Sequence, residues 1–240
     1  MNLILLHPED FISPERARLR DRRAGHIRTV HRAAPGEQLR VGLLNGHIGT
    51  AEVTALDDEQ VELEVSFTDA RQPPSALPLK LVLALPRPKM LKRIIQHATA
   101  MGAKEIYLVN AYRVEKSYWQ TPWLEAEKLR EQWLLGLEQA VDTVMPRIEL
   151  RKRFKPFVED ELPGIIAGTE ALVAHPVSAG PCPVDVQHPV TLAVGPEGGF
   201  IPYEVEKLQQ QGFAPVHLGP RILRVETALP VLLSRLYPGR

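Results

Sequence analysis

Apolar and polar positions along these 240 residues follow two different rhythms. Up to about residue 70 the apolar positions alternate singly. Val61, Leu63, Val65 and Phe67 share one side and Glu62, Glu64 and Ser66 the other, which is the period of a half-buried strand. Residues 38–43 and 50–55 read as two more strands, with Asn45-Gly46 as a hairpin signal between them. The opening run from Met1 to Leu6 has no basic segment before it and no small-residue cleavage site after it. It reads as a strand and not as a signal peptide. Together these predict a small antiparallel barrel over residues 1–70.

Residues 69–78 hold three prolines, which neither a central strand nor a helix accommodates, so a linker is expected at 71–78. Beyond it the apolar runs become continuous and alternate with helical periods. Residues 79–85, 106–109, 171–174, 191–194 and 215–218 read as buried strands. Residues 89–101, 123–141, 203–211 and 228–236 read as helices. In the first helix Ile94, Ile95, Ala98 and Met101 share a face, and Gly102 ends it. The expected fold class is α/β, with a mostly parallel sheet in residues 79–240 covered by helices on both faces. No apolar stretch approaches ~20 residues, so no membrane partner is expected.

Charge changes this picture through its distribution. Lysine and arginine number 29, as do aspartate and glutamate, so the chain lacks the basic surplus usual in nucleic-acid binders. Yet Arg16, Arg18, Arg20, Arg22, Arg23, Arg28 and Arg32 lie within seventeen residues against one acid, Asp21. Residues 52–64 hold six acids and no base, and Arg147, Arg151, Lys152, Arg153 and Lys155 form a second basic cluster. Such segregation suits either a phosphate-binding face or a solvated arginine-rich loop. The single cysteine, Cys182, excludes an intramolecular disulfide and a thiolate cluster and fits a reducing, cytoplasmic setting. The histidines show no metal-ligand spacing, so no metal is expected.

Two loops carry candidate chemistry, and both follow a predicted buried strand, where open parallel sheets bind ligands. The first is Gly195-Pro196-Glu197-Gly198-Gly199-Phe200. Its glycines allow unusual turns and close approach of a ligand to main chain, yet it matches neither a dinucleotide fingerprint nor a phosphate loop and serves a tight turn equally well. The second, Leu218-Gly219-Pro220-Arg221-Ile222-Leu223-Arg224-Val225-Glu226-Thr227, sets two arginines, a glutamate and a threonine before a helix. Thr227 can equally be that helix's N-cap, which would put Pro230 at the third helical position.

The two loops, some twenty residues apart, resemble the ribosomal RNA small-subunit methyltransferase E family of the knotted SPOUT class. The likeness extends over most of the chain, including residues 26–37. The resemblance implies a PUA-like N-terminal barrel, a trefoil knot in the C-terminal strands, and methylation of uridine N3 in 16S ribosomal RNA. It implies S-adenosylmethionine as cofactor, held by Gly195, Pro196, Glu197, Gly198 and Gly199 together with Leu218, Gly219, Ile222 and Leu223. It also implies a homodimer, no metal, and ribosomal RNA or the small ribosomal subunit as partner. Departures from the family pattern fall at His97, Ala100, Asp142, Val225 and Pro230, outside the glycine loop.

On that basis Arg224 is expected to stabilise charge or anchor a phosphate. Glu226 is expected to act as base or to orient it, and Thr227 to donate a hydrogen bond. The arginines from Arg16 to Arg32 would position the RNA. The alternatives are a related enzyme acting on another RNA or on a ribose hydroxyl, a non-catalytic RNA-binding protein, and a nucleotide-binding regulator. The last lacks a phosphate loop.

Overall fold

The computed structural model describes residues 2–176 and 180–239. Met1, where the opening strand was expected to begin, and Arg240 lie outside the described residues. The chain divides into two units, Met1–Pro74 with Leu134–Met145, and Ser75–Trp133 with Pro146–Arg240.

The first unit is a six-stranded sheet of β1 (Ile4–Leu6), β2 (Phe11–Ser13), β3 (Arg16–Leu19), β4 (Gln38–Leu43), β5 (Ile48–Leu56) and β6 (Val61–Arg71), in the order β1-β4-β5-β6-β3-β2. Only β1 and β4 pair in parallel; the other pairings are antiparallel. Its core includes Ile4, Leu6, Leu19, Val41, Val53 and Leu63, the inward positions of the alternating pattern. The Asn45-Gly46 signal marks a true reversal: Asn45 takes the left-handed conformation at φ 59, and Gly46 N–H donates to the Leu43 carbonyl at 2.7 Å.

Two findings differ from the sequence reading. Residues 16–19, open in the sequence between a phosphate-binding face and a solvated loop, form a strand, because Ala17 and Leu19 alternate inward between arginines. The strand β6 continues through Arg71, into the start of the proline-rich stretch. A short helix, α1 (Arg22–His26), leads into one turn of π-helix over Ile27–His31.

The unit also recruits a distant segment. From Leu134 to the end of α3 (Ala126–Ala140), and on to Met145, the chain packs Leu137 beside Leu3, Leu5 and Ile48. Gly42 permits this close fit, since a Cβ there would lie 2.6 Å from the Thr143 methyl. Helix α3 begins at Ala126, three residues later than expected, because Pro122–Leu124 winds as a separate 3-10 turn capped by Thr121.

Among the described residues the second unit holds seven strands, all parallel: β7 (Leu79–Ala84), β8 (Glu105–Val109), β9 (Arg147–Arg151), β10 (Glu170–Ala174), β11 (Gly180–Pro181), β12 (Val190–Val194) and β13 (Ala214–His217). Their order is β11-β13-β10-β12-β7-β8-β9. Every residue of β12 is buried, as expected of a central strand covered on both faces. Helix α2 (Pro88–Ala100) buries Leu91, Ile94, Ile95 and Ala98. The irregular helical stretch α4 (Phe154–Pro156), Phe157–Glu161 and α5 (Leu162–Ile166) buries Phe157, Val158 and Leu162. Helix α6 (Pro202–Gln210) follows the glycine loop, and α7 (Val225–Leu236) closes the chain.

The N-terminus of α7 departs from expectation. Arg224 and not Thr227 occupies the N-cap, and Ala228 N–H donates to the Arg224 carbonyl at 2.7 Å. Pro230 therefore lies inside the helix, at its sixth residue, where it removes the bond to the Glu226 carbonyl.

Candidate active site

The carboxyl ends of β10, β12 and β13 open onto one cavity of about 360 Å³, in the size range of small-molecule sites. All nine of Gly195, Pro196, Glu197, Gly198, Gly199, Leu218, Gly219, Ile222 and Leu223 line it, joined by His175, His217 and Arg221. Apolar wall comes from Val194, Leu218, Leu223, Ala228 and Leu232, and the glycines expose main chain.

Each glycine loop is held by a definable cause. A Cβ on Gly195 would lie 2.8 Å from the Phe200 nitrogen, so the loop folds this tightly only with glycine there. Gly199 sits at φ 73 and donates to the Pro196 carbonyl at 2.7 Å, and Gly219 at φ 107 donates to His217 Nδ1 at 2.9 Å. That last bond uses His217 Nδ1 as the acceptor.

The glycine loop is fixed from outside by groups that the sequence reading passed over. Glu197 Oε1 accepts the Arg87 backbone N–H at 2.9 Å, and Arg113 donates to the Gly198 carbonyl. Buried Glu204 accepts from Tyr112 N–H at 2.7 Å and from Ile201 N–H at 3.0 Å, capping α6 and tying it to the loop after β8. Arg87 and Arg113 both follow the carboxyl ends of buried strands, the signal that would have found them.

Arg224 and Thr227 are exposed at the start of α7, and neither lines the cavity. Glu226 lies in the first turn with its Oε2 buried and without a hydrogen-bond partner. Ile222, 82% exposed, and Tyr112, 78% exposed, are the most exposed large apolar side chains described. The thiol of Cys182 is buried, and burial pushes its pKa up to about 11, the mark of an unreactive group. His97 is exposed on α2, while Trp119, Trp123 and Trp133 pack partly buried against the core. Among the described residues no cluster of three His, Cys, Asp or Glu is placed to hold a metal, and no helix is long and apolar enough to cross a membrane.

The arginines of the first unit prove to be spoken for in different degrees. Arg16 and Arg18 reach Glu62 at 2.7 and 2.8 Å across the β3–β6 ladder, and Arg20 reaches Gln60 at 3.0 Å. Arg22 makes a bidentate pair with Glu138 at 2.8 Å, and Arg28 donates to the Asp57 and Asp58 carbonyls. Arg23 is 5% exposed. All five of its N–H donors are committed, to Asp10, Asp21 and the Leu5 carbonyl, which leaves none for a phosphate. Of the seven arginines from Arg16 to Arg32, Arg32 is the one whose side chain has no partner among the described residues. Burial alone would raise the Asp21 pKa, but hydrogen bonds from Arg23 outweigh it and hold the carboxyl below its usual range. Burial dominates at Glu138 and pushes its pKa up despite Arg22.

A parallel α/β sheet with a glycine-walled cavity at the carboxyl ends of its strands, in a chain that also holds a separate curled sheet, defines the class of this protein. Residues 73–237 match the RNA methyltransferase domain family, and the chain belongs to it. Residues 19–66 match the RNA methyltransferase PUA domain. The chain is 29% identical over 238 residues to a ribosomal RNA small subunit methyltransferase E of Treponema pallidum, covering 95% of this chain and 87% of the relative. It is 28% identical over 230 residues to the Bacillus subtilis protein of the same name, covering 87% and 84%. A crystal structure of a ribosomal RNA small subunit methyltransferase E from Neisseria gonorrhoeae, bound to S-adenosyl methionine, matches with TM-score 0.74 and 22% identity. That match covers 98% of this chain and 95% of the other, and it shows a shared fold.

Proposed function

We propose that this protein transfers a methyl group from S-adenosylmethionine to N3 of a uridine in 16S ribosomal RNA. The observation that carries the reading is the convergence of both glycine-containing loops on one cavity, in a chain that belongs to an RNA methyltransferase family. The cavity fits the cofactor in kind. Its volume, its apolar wall and its bare main chain at Gly195 and Gly219 suit an adenine ring held by backbone groups. Bound there, the cofactor supplies an electrophilic methyl on a sulfonium.

The chain's own residues would do the rest. Uracil N3 attacks only once its proton has left. Glu226, whose buried Oε2 has no partner, is assigned as the group that accepts it. The charge that develops on O2 and O4 of the base is assigned to the exposed guanidinium of Arg224. Thr227 supplies a hydroxyl donor within the same helical turn. The first unit positions the RNA through those arginines of 16, 18, 20, 22, 28 and 32 that can reach a phosphate. Arg23 is assigned to holding the sheet instead. A homodimer covering exposed Ile222, a knotted C-terminal segment and a cytoplasmic setting belong to the same reading.

Calorimetric titration with S-adenosylmethionine tests it. Saturable binding that Gly198→Val abolishes is expected, followed by N3-methyluridine in nucleoside mass spectra of treated small subunits. A folded protein that binds neither the cofactor nor its demethylated product would sink the proposal.

A further inference from the structure

The first unit contains a second cavity, of about 550 Å³, on the outer face of β4, β5 and β6. It arises from a break in the ladder. Between Thr50 paired with Ser66 and Ile48 paired with Arg71, β6 takes five residue steps against two on β5, so its extra residues bulge away. Gly49 lets the two strands pinch together at the edge of the bulge, since a Cβ there would lie 2.4 Å from the Ser66 carbonyl oxygen.

The groups lining this hollow are chemically coherent. Arg40, Thr50 and Ser66 stand in one cross-strand row on β4, β5 and β6, all exposed, with Gln38 next along β4 and Asp69 and Arg71 on the bulged side. Neither Arg40 nor Arg71 makes a hydrogen bond or ion pair within the described residues, whereas Arg16, Arg18 and Arg22 are held by carboxylates. At Arg16 and Arg18 the negative charge of Glu62 already meets the guanidinium, while a phosphate arriving at Arg40 or Arg71 displaces only water. Two guanidinium groups, the Thr50 hydroxyl and an amide are donors suited to phosphate oxygens, while the Ser66 hydroxyl already donates to Thr68 Oγ1 at 3.1 Å. Asp69 adds a group that only accepts, which suits a ribose 2′-hydroxyl and not a deoxyribose. On one flank the next row sets Glu52 opposite Glu64, a like-charge pair that would repel phosphate and direct a bound strand toward Arg71.

We infer that this cavity is a ribonucleotide-binding site on the first unit, with Arg40 and Arg71 gripping backbone phosphate and Asp69 reading the 2′-hydroxyl. This rests on the reading that the substrate is RNA, and it moves the anchoring of that RNA away from the arginine-rich stretch of residues 16–32.

The test is fluorescence anisotropy with labelled oligouridylate and its deoxy counterpart over a range of salt, beside calorimetry with S-adenosylmethionine. The Arg40→Ala/Arg71→Ala protein should bind oligouridylate at least about tenfold more weakly. Its salt slope should fall by about 0.7 to 1.4, the release expected from one or two single-strand phosphates. Asp69→Ala should abolish the preference for ribose. Arg16→Ala/Arg18→Ala should change affinity less than the first pair. Both mutated arginines are exposed and unpaired, so thermal melts should match those of the parent protein. Parent-like affinity and slope in Arg40→Ala/Arg71→Ala would overturn the inference. So would a parent protein that binds cofactor but no oligouridylate, which leaves the methyl-transfer reading standing. Oligouridylate binding that depends on Arg40 and Arg71 without any cofactor binding would uphold this site and remove that reading.

Discussion

In the first unit, polar side chains mostly satisfy one another. Arg23 is enclosed by Asp10 and Asp21, Arg22 grips buried Glu138, and Arg16 and Arg18 share Glu62. In the second, the cavity is walled largely by main chain and apolar side chains, and two charged groups beside it hold backbone: Arg113 on the Gly198 carbonyl, Glu197 on the Arg87 N–H. A cluster of charges in sequence was therefore a poor guide to where a ligand can bind, because most of those charges are already neutralised. A cluster of glycines was a better one, because glycine earns no stability in a turn unless close approach or an unusual φ requires it. The difference also sets where each unit is fragile. The first depends on matched charges, the second on the absence of a few β-carbons.

Mutations can break that contrast, and the largest effect should come from the enclosed arginine. Arg23→Ala removes the buried guanidinium that pairs Asp10 and Asp21, leaves Asp10 with only the His7 N–H, and should cost about 3–5 kcal/mol. All three tryptophans lie in the second unit, so their fluorescence reports on it alone. The far-UV transition in urea should shift in Arg23→Ala while the tryptophan transition stays in place. Coincident shifts would mean that the units do not fail separately. Next in size, Arg224→Ala should lower methyl-transfer turnover about 10²- to 10³-fold while cofactor affinity, measured by calorimetry, stays within about threefold. Equal losses in both would remove the charge-stabilising role.

Gly195→Ala should weaken cofactor binding about tenfold, ~1.4 kcal/mol, because its methyl meets the Phe200 nitrogen. Unchanged affinity would show that the loop's tight fold is irrelevant to the ligand. Smaller effects should appear with pH, in opposite directions within one unit. Asp21 lies below its ordinary value of 3.8, so its stabilising contribution is present above 3.8 and lost as pH falls through its folded value. Glu138 is raised above 4.5, so its contribution favours the fold below 4.5 and is lost as pH rises through its folded value. Urea midpoints across pH should lose the acid limb in Asp21→Asn and the loss on raising pH in Glu138→Gln. Either variant retracing the parent curve would reverse its assignment. Least of all, Arg16→Ala should change stability by under about 1 kcal/mol, since its pair with Glu62 is solvent-screened.

Much of the second unit was legible because continuous apolar runs and helical periods are strong signals. Residues 79–85, 106–109 and 191–194 were read within about a residue of β7, β8 and β12. The first unit was less so. In residues 16–19 the arginines mask the alternation of Ala17 and Leu19, the two inward positions that make it a strand. Arg147–Arg151 was likewise read as a basic cluster, though Ile148 and Leu150 alternate within it. Thr227 is a good capping residue in isolation, yet the loop places helical geometry three residues earlier, at Arg224. No pattern in the sequence announced that Leu134–Met145 belongs with the first strands, since that pairing is made only by packing against Leu3 and Leu5.

That detached segment has a consequence for how the chain is made. Translation releases the six N-terminal strands first, yet Leu137 and Glu138 follow Pro74 by some sixty residues. At roughly 5–20 residues per second, the nascent sheet waits on the order of 3–12 s with Leu3 and Leu5 uncovered and Arg22 without its carboxylate. During that interval the growing chain presents an apolar strip to solvent, and a ribosome stalled before residue 134 would hold the sheet with that strip still uncovered.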